Sequence, residues 1–188
     1  MATLKKGSQG SEVRKLQERL NQLGYGCGVA DGSFGVNTEK AVKHFQDDEW
    51  LKVDGLVGAI TQEVLSEPGQ IVHFSKNEFK CKHCGKLPLQ GIDRRLLLML
   101  ETLRKQIGGR PISVRSGYRC PTNNLQVGGA GDSQHKYGKA ADILVNGMSP
   151  RELEKYCDKL FANEGVGLGG ASIVHADTRG ERARWRYD

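Results

Sequence analysis

Aromatic residues are scarce in this chain of 188 residues, at 6%, and proline is scarcer still, with five. No apolar run approaches the roughly 20 residues that a membrane-spanning helix needs, so no membrane partner is expected. Residues 1–10 carry two lysines and no apolar stretch behind them, so no secretory signal is visible. The expectation is a mature form or export by another route. The five cysteines are an odd number, which excludes complete disulfide pairing within one chain. Scattered basic residues and few stacking aromatics argue against nucleic acid as a partner, despite a net charge of +6.

What is abundant is glycine, 25 residues of it, which suits loop-rich domains with tight turns. Charge is also unevenly placed. Residues 1–68 hold 8 Lys+Arg against 10 Asp+Glu, whereas residues 69–188 hold 20 against 12. The length fits two small domains. Ser66-Glu-Pro-Gly-Gln70 reads as the joint between them, which places one domain at 1–67, a linker at 68–72 and a second domain at 73–188.

In the first segment, Val13, Leu16, Leu20 and Leu23 recur at helical spacing, with Ser11 as the expected cap and Gly24 as the stop. Asp31-Gly-Ser-Phe-Gly35 repeats as Asp54-Gly-Leu-Val-Gly58, 23 residues on. A helical stretch follows each turn, Thr38 to Gln46 and Ile60 to Leu65, and Asn37 is the expected cap of the first. The sum is a small all-α three-helix domain with too few converging polar groups for catalysis. Gly10-Ser-Glu-Val13, Leu16-Gln17, Leu23-Gly-Tyr25, the two Asp-Gly turns and Ala41-Val42 with Phe45-Gln46 resemble the peptidoglycan-binding domain of cell-wall hydrolases. That resemblance implies a non-catalytic module that holds the chain on murein.

The second segment alternates helices and strands. Asp93 to Ile107 predicts a helix with Leu96, Leu97, Leu100, Leu103 and Ile107 buried, ended by Gly108-Gly109. Ser149, Pro150 and Glu152 spell a helix start, ahead of the stripe Leu153, Cys157, Leu160 and Phe161. Strands are expected at Pro111 to Ser116, Ala140 to Val145 and Ala171 to Asp177. An α+β domain with a small antiparallel sheet fits this order.

Ser133-Gln-His-Lys-Tyr-Gly-Lys-Ala-Ala-Asp142 places His135 and Asp142 seven residues apart, on opposite faces if the chain were straight. A turn at Gly138 can bring both back to one point. His175 and Asp177, two apart on a strand, share a face. His135, Asp142 and His175 would make a zinc site whose fourth position stays open, the arrangement of catalytic zinc. On spacing alone, plain polar loop residues are the favoured reading. The Ser133-x-His135-x-x-Gly138-x-Ala140-x-Asp142 pattern, with Ser116-Gly-Tyr-Arg-Cys-Pro121 before it and Val174-His-Ala-Asp177 after it, is similar to the zinc D-alanyl-D-alanine carboxypeptidase family, which shares its fold with murein endopeptidases and the hedgehog domain.

The resemblance implies that His135, Asp142 and His175 hold one catalytic zinc and that Arg119 supports substrate and transition state. Some branches of the family carry an acid where this chain has Ser172, so Asp177 is left with two readings: general base, or acceptor that orients an imidazole. Cys81, Cys84 and Cys120 with His83 allow a second, structural zinc, or a disulfide and a spare thiol; plain reduced or packed thiols are the favoured reading. Cys157 reads as packed in a helical stripe.

Together these features predict a monomeric zinc peptidase that cuts peptidoglycan stems, as a lytic endopeptidase or a D,D-carboxypeptidase. The expected place is the cell wall, or a host cytoplasm before lysis if the chain is a phage endolysin. The rival expectations are a wall-binding protein without catalysis and, less favoured, a hedgehog-like interaction domain.

Overall fold

The computed structural model describes residues 2–169 and 172–187, and it divides the chain into two compact units, Met1–Gln70 and Ile71–Asp188. Ala171, the expected start of one strand, lies outside the described residues. None of the described helices is long and apolar enough to cross a membrane.

The first unit contains α1 (Ser11–Gln22), α2 (Val36–Asp48) and α3 (Ala59–Ser66). Val13, Leu16 and Leu20 of α1 pack with Ala41, Val42 and Phe45 of α2 and with Val64 and Leu65 of α3. Ser11 and Asn37 are not the caps. Gly10 and Gly35 take those places, without side-chain bonds. Each helix starts where a tight turn ends, and the glycine carbonyl accepts the first helical bond, from Arg14 and Glu39 respectively. Backbone freedom at Gly10, with φ 117°, outweighs side-chain capping there.

The duplicated turns have duplicated supports. Gln17 of α1 donates to the Asp31 carboxylate and the Ser33 carbonyl, and its side-chain oxygen accepts from Gly32 N–H. Gln46 of α2 does the same for Asp54, the Leu56 carbonyl and Gly55 N–H. Both glutamines are buried, so their amides complete a network that water cannot replace.

The second unit contains α4 (Lys76–Phe79), α5 (Arg94–Gln106), α6 (Pro121–Gln126), a 3₁₀ turn (Gln134–Tyr137) and α7 (Pro150–Leu160). Its strands are β1 (Ile112–Ser116), β2 (Ala140–Val145), β3 (Gly165–Gly169), β4 (Ile173–Asp177) and β5 (Ala183–Tyr187), in the spatial order β1-β2-β4-β3-β5. Asp93 caps α5 through Arg95 N–H, and Ser149 with Glu152 closes a capping box on α7. Leu96, Leu97, Leu100 and Leu103 are fully buried, each contributing about 1.5–3 kcal/mol by leaving water. α7 packs on α5 and across β3 and β4.

The sheet is mixed rather than purely antiparallel. β1–β2, β2–β4 and β4–β3 pair antiparallel, but β3 and β5 pair parallel. The cause is the connection after β4. The chain reverses there and passes over the end of β3 to its open edge, so β5 runs the way β3 does. Two strand spacings are about 10 Å, well within reach of residues 178–182.

Candidate metal centre

Three elements converge on one face of the sheet. Asp142 on β2 lies directly across from His175 on β4. His135 sits on the 3₁₀ turn, and Gly138 then turns the chain into β2 with φ 66°. A Cβ at Gly138 would come within 2.8 Å of Pro88 and 2.9 Å of the Gly91 carbonyl, so neither the backbone angle nor the space admits a side chain. The turn expected at Gly138 is what overcomes the unfavourable seven-residue spacing.

The ligand-type atoms meet closely. Asp142 Oδ1 is 2.9 Å from His175 Nδ1 and 3.3 Å from His135 Nε2, and those two ring nitrogens are 3.1 Å apart. All three side chains are buried. The outward nitrogens fix the tautomers. His135 Nδ1 is 2.6 Å from the Gly117 carbonyl, which can only accept, so Nδ1 carries the hydrogen and Nε2 turns a lone pair inward. His175 Nε2 is 2.9 Å from Asp177 Oδ2, which gives Nδ1 the same inward role. Two nitrogen lone pairs and a carboxylate oxygen crowded together attract a cation, and this donor set suits zinc with one position left for a further ligand.

The electrostatics agree. Burial pushes the Asp142 carboxyl up, but His135 and His175, whose rings donate to it once protonated, outweigh burial and hold the group well below the usual carboxylate range. Burial lowers the His135 pKa. For His175 burial acts downward as well, yet the carboxylates of Asp142 and Asp177 prevail and the pKa is raised. Asp177 is held low against its own burial by His175 and Arg179. A position facing this much negative charge favours a cation, whether proton or metal.

Arg119 donates through its guanidinium to Asp142 Oδ2 and through Nε to Ser116 Oγ, at 2.9 Å for the latter. It lines a cleft of about 720 Å³ together with His135, Asp142, His175, Asp132 and Trp185. Asp177 is not on that lining. It is fully buried behind His175 and held by Arg179, whose NH2 group lies 2.6 Å from Oδ2. Ser172 lies in an exposed turn just ahead of β4.

Several participants escaped the sequence reading. The Trp185 ring lies 5.0 Å from that of His175, and the Arg179 guanidinium stacks 4.8 Å from the Trp185 ring. β3 makes room for both neighbours of His175: a Cβ at Gly165 would fall within 2.5 Å of the Asp177 carboxylate, and one at Gly167 within 2.5 Å of Trp185. The alternating glycines of Gly165-Val-Gly-Leu-Gly169 were the available signal. Gly117 was visible in Ser116-Gly-Tyr-Arg119, but its service as a carbonyl was not. It abuts the backbone of Phe79, where a Cβ would come within 2.6 Å of Cα.

An open cleft floored by two histidines and one aspartate, on a small mixed sheet backed by helices, is the layout of a mononuclear metallohydrolase. The chain belongs to the Peptidase M15 family, whose model matches residues 72–177, and residues 9–65 match the model of a putative peptidoglycan binding domain. A zinc D-Ala-D-Ala carboxypeptidase of Streptomyces albus G is 36% identical over 154 residues, 75% of this chain and 60% of that one. A spore cortex-lytic enzyme of Bacillus subtilis (strain 168) is 48% identical over 93 residues, 46% of this chain and 30% of that one. A probable N-acetylmuramoyl-L-alanine amidase of Bacillus licheniformis is 45% identical over 65 residues, covering 34% and 18%. The chain thus spans less than two thirds of the length of each of these relatives.

Proposed function

We propose that this chain is a zinc-dependent peptidase that hydrolyses peptide bonds in the stems of bacterial peptidoglycan, with residues 1–67 as the wall-binding domain, 68–72 as linker and 73–188 as the peptidase domain. The observation that carries the reading is the meeting of His135 Nε2, His175 Nδ1 and Asp142 Oδ1 on the floor of the cleft, with the outward nitrogens facing acceptors. Zinc held by these residues would supply Lewis-acid polarisation of the scissile carbonyl.

The chain's own groups do the remaining work. The Gly117 carbonyl and Asp177 keep the two imidazoles in the tautomers that present lone pairs. Arg119, tied to Asp142 and Ser116, faces the cleft and can hold a substrate carboxylate or the developing oxyanion by charge-assisted hydrogen bonds. Asp177 acts through His175 rather than on substrate, because its oxygens are walled off behind the ring. Asp132 is an exposed carboxylate on the lining of the same cleft, and in this reading it is the group that exchanges a proton with water and the leaving amine.

The wall-binding match favours a lytic endopeptidase, and the Streptomyces relative's name favours a D,D-carboxypeptidase. Mass spectrometry of muropeptides after incubation of the zinc-loaded chain with purified sacculi decides. New peptide ends establish the peptidase, and their masses name the bond. Unchanged muropeptides from walls of several cross-link chemistries, with the chain bound to the sacculi, would establish a non-catalytic wall-binding protein instead.

A further inference from the structure

We propose that Cys81, Cys84 and Cys120, with His83 as fourth ligand, form a second, structural site for zinc or another thiophilic divalent cation. The three sulfurs come from two separate stretches of chain, the loop after α4 and the residue that caps α6, yet they lie within 4.8 Å of one another. None is in a disulfide. His83 Nδ1 is 3.7 Å from Cys120 Sγ. In a tetrahedron with Zn–S of about 2.3 Å and Zn–N of about 2.0 Å, ligand atoms stand about 3.5–3.8 Å apart. The His83–Cys120 separation matches that spacing, and three sulfurs gathered within 4.8 Å beside one imidazole supply the residue types of a Cys₃His structural zinc site.

The backbone is folded for thiolates. The Cys81–Gly85 loop closes on itself through Gly85 N–H to the Cys81 carbonyl at 2.8 Å, with Gly85 left-handed at φ 68°. Cys120 N–H points at Cys81 Sγ from 3.4 Å, and Asn123 N–H at Cys120 Sγ from 3.5 Å. Lys80, Lys82 and Lys86 in the same loop offset the one negative charge that three thiolates leave on a divalent ion. A Cys81–Cys84 disulfide would use neither Cys120 nor His83, and would leave both without a reason to converge. The plain-thiol reading favoured on sequence gives no reason for the convergence either.

Such a site would clamp the loop after α4 to the residue next to Arg119. It shares no ligand with the His135 centre, and its test does not depend on catalysis. The full chain is purified reduced, stripped with chelator and titrated with Co²⁺ alone, alongside His135→Ala and a Cys84→Ser/Cys120→Ser double variant. The expected result is a thiolate-to-cobalt charge-transfer band in the near ultraviolet for the wild type and for His135→Ala. Native thiol titration should show three thiols protected by cobalt and released by chelator. The double variant should lose the band; if it does not fold, the other two proteins decide between them. Absence of the band from both wild type and His135→Ala, or a Cys81–Cys84 disulfide recovered from the freshly purified chain, overturns the proposal.

Discussion

Replacing Asp177 with Asn separates the two roles the residue was expected to have. Asp177 is fully buried and accepts from His175 Nε2 and from the Arg179 backbone and guanidinium. Asn keeps the shape but turns one acceptor into a donor, which must face either His175 or Arg179. One or two charge-assisted bonds are lost at about 1.5–3 kcal/mol each, so the unit should lose about 1.5–6 kcal/mol of stability. The His175 tautomer also loses its anchor, which typically costs about 10–100-fold in metal affinity or activity. A tenfold weaker Kd removes about 1.4 kcal/mol of zinc-dependent stabilisation. Thermal unfolding with and without zinc reads that difference, and chelator competition gives the affinity. The positioning argument is refuted if zinc affinity is unchanged while turnover collapses, since that is the signature of a general base. Unchanged affinity with unchanged turnover refutes both roles.

Gly167→Ala should destabilise by about 1–3 kcal/mol, because its Cβ would overlap the Trp185 ring, and turnover should fall as that ring shifts over His175; thermal melts and an activity assay check this. Glu101 is buried and accepts from Val72 N–H, His73 N–H and His73 Nδ1, and those bonds outweigh burial to lower its pKa. Its contribution is therefore complete above the unfolded value of about 4.3 and is lost as pH falls through the lower folded value. Urea unfolding between neutral and acid pH should show Glu101→Gln less stable by about 2–4 kcal/mol at neutrality, with the gap closing on acidification. Gln46→Ala should strip the Asp54–Leu56 turn of its support, costing about 2–4 kcal/mol and weakening sacculus pull-down while leaving turnover on small soluble stem peptides intact.

Helices were legible because their signals are local. The Leu96–Leu103 stripe and the Ser149–Glu152 box each lie within a few residues, and both appear in the structure as read. The caps of α1 and α2 were misread because glycine carries no side-chain signal, and only the geometry of the preceding turn shows that it takes the cap. The parallel pairing of β5 depends on which sheet edge is open, a property of the assembled strands that no segment contains. At the centre, His135, Asp142 and His175 stood out by residue type and motif. Their supports did not: one is a main-chain carbonyl, and another is the space left by glycines on β3.

The two imidazoles are held in different ways. His135 leans on the carbonyl of Gly117, a main-chain group whose chemistry no side-chain exchange alters; a substitution there acts only by displacing the backbone, because its Cβ would meet Phe79. His175 leans on a side chain, and Asp177 can be exchanged for amide, longer acid or apolar neighbour. One half of the centre is thus hard-wired by the main chain, and the other is an adjustable dial. Variation in metal affinity or ligand basicity among chains built this way should concentrate at the position of Asp177 and its partner Arg179.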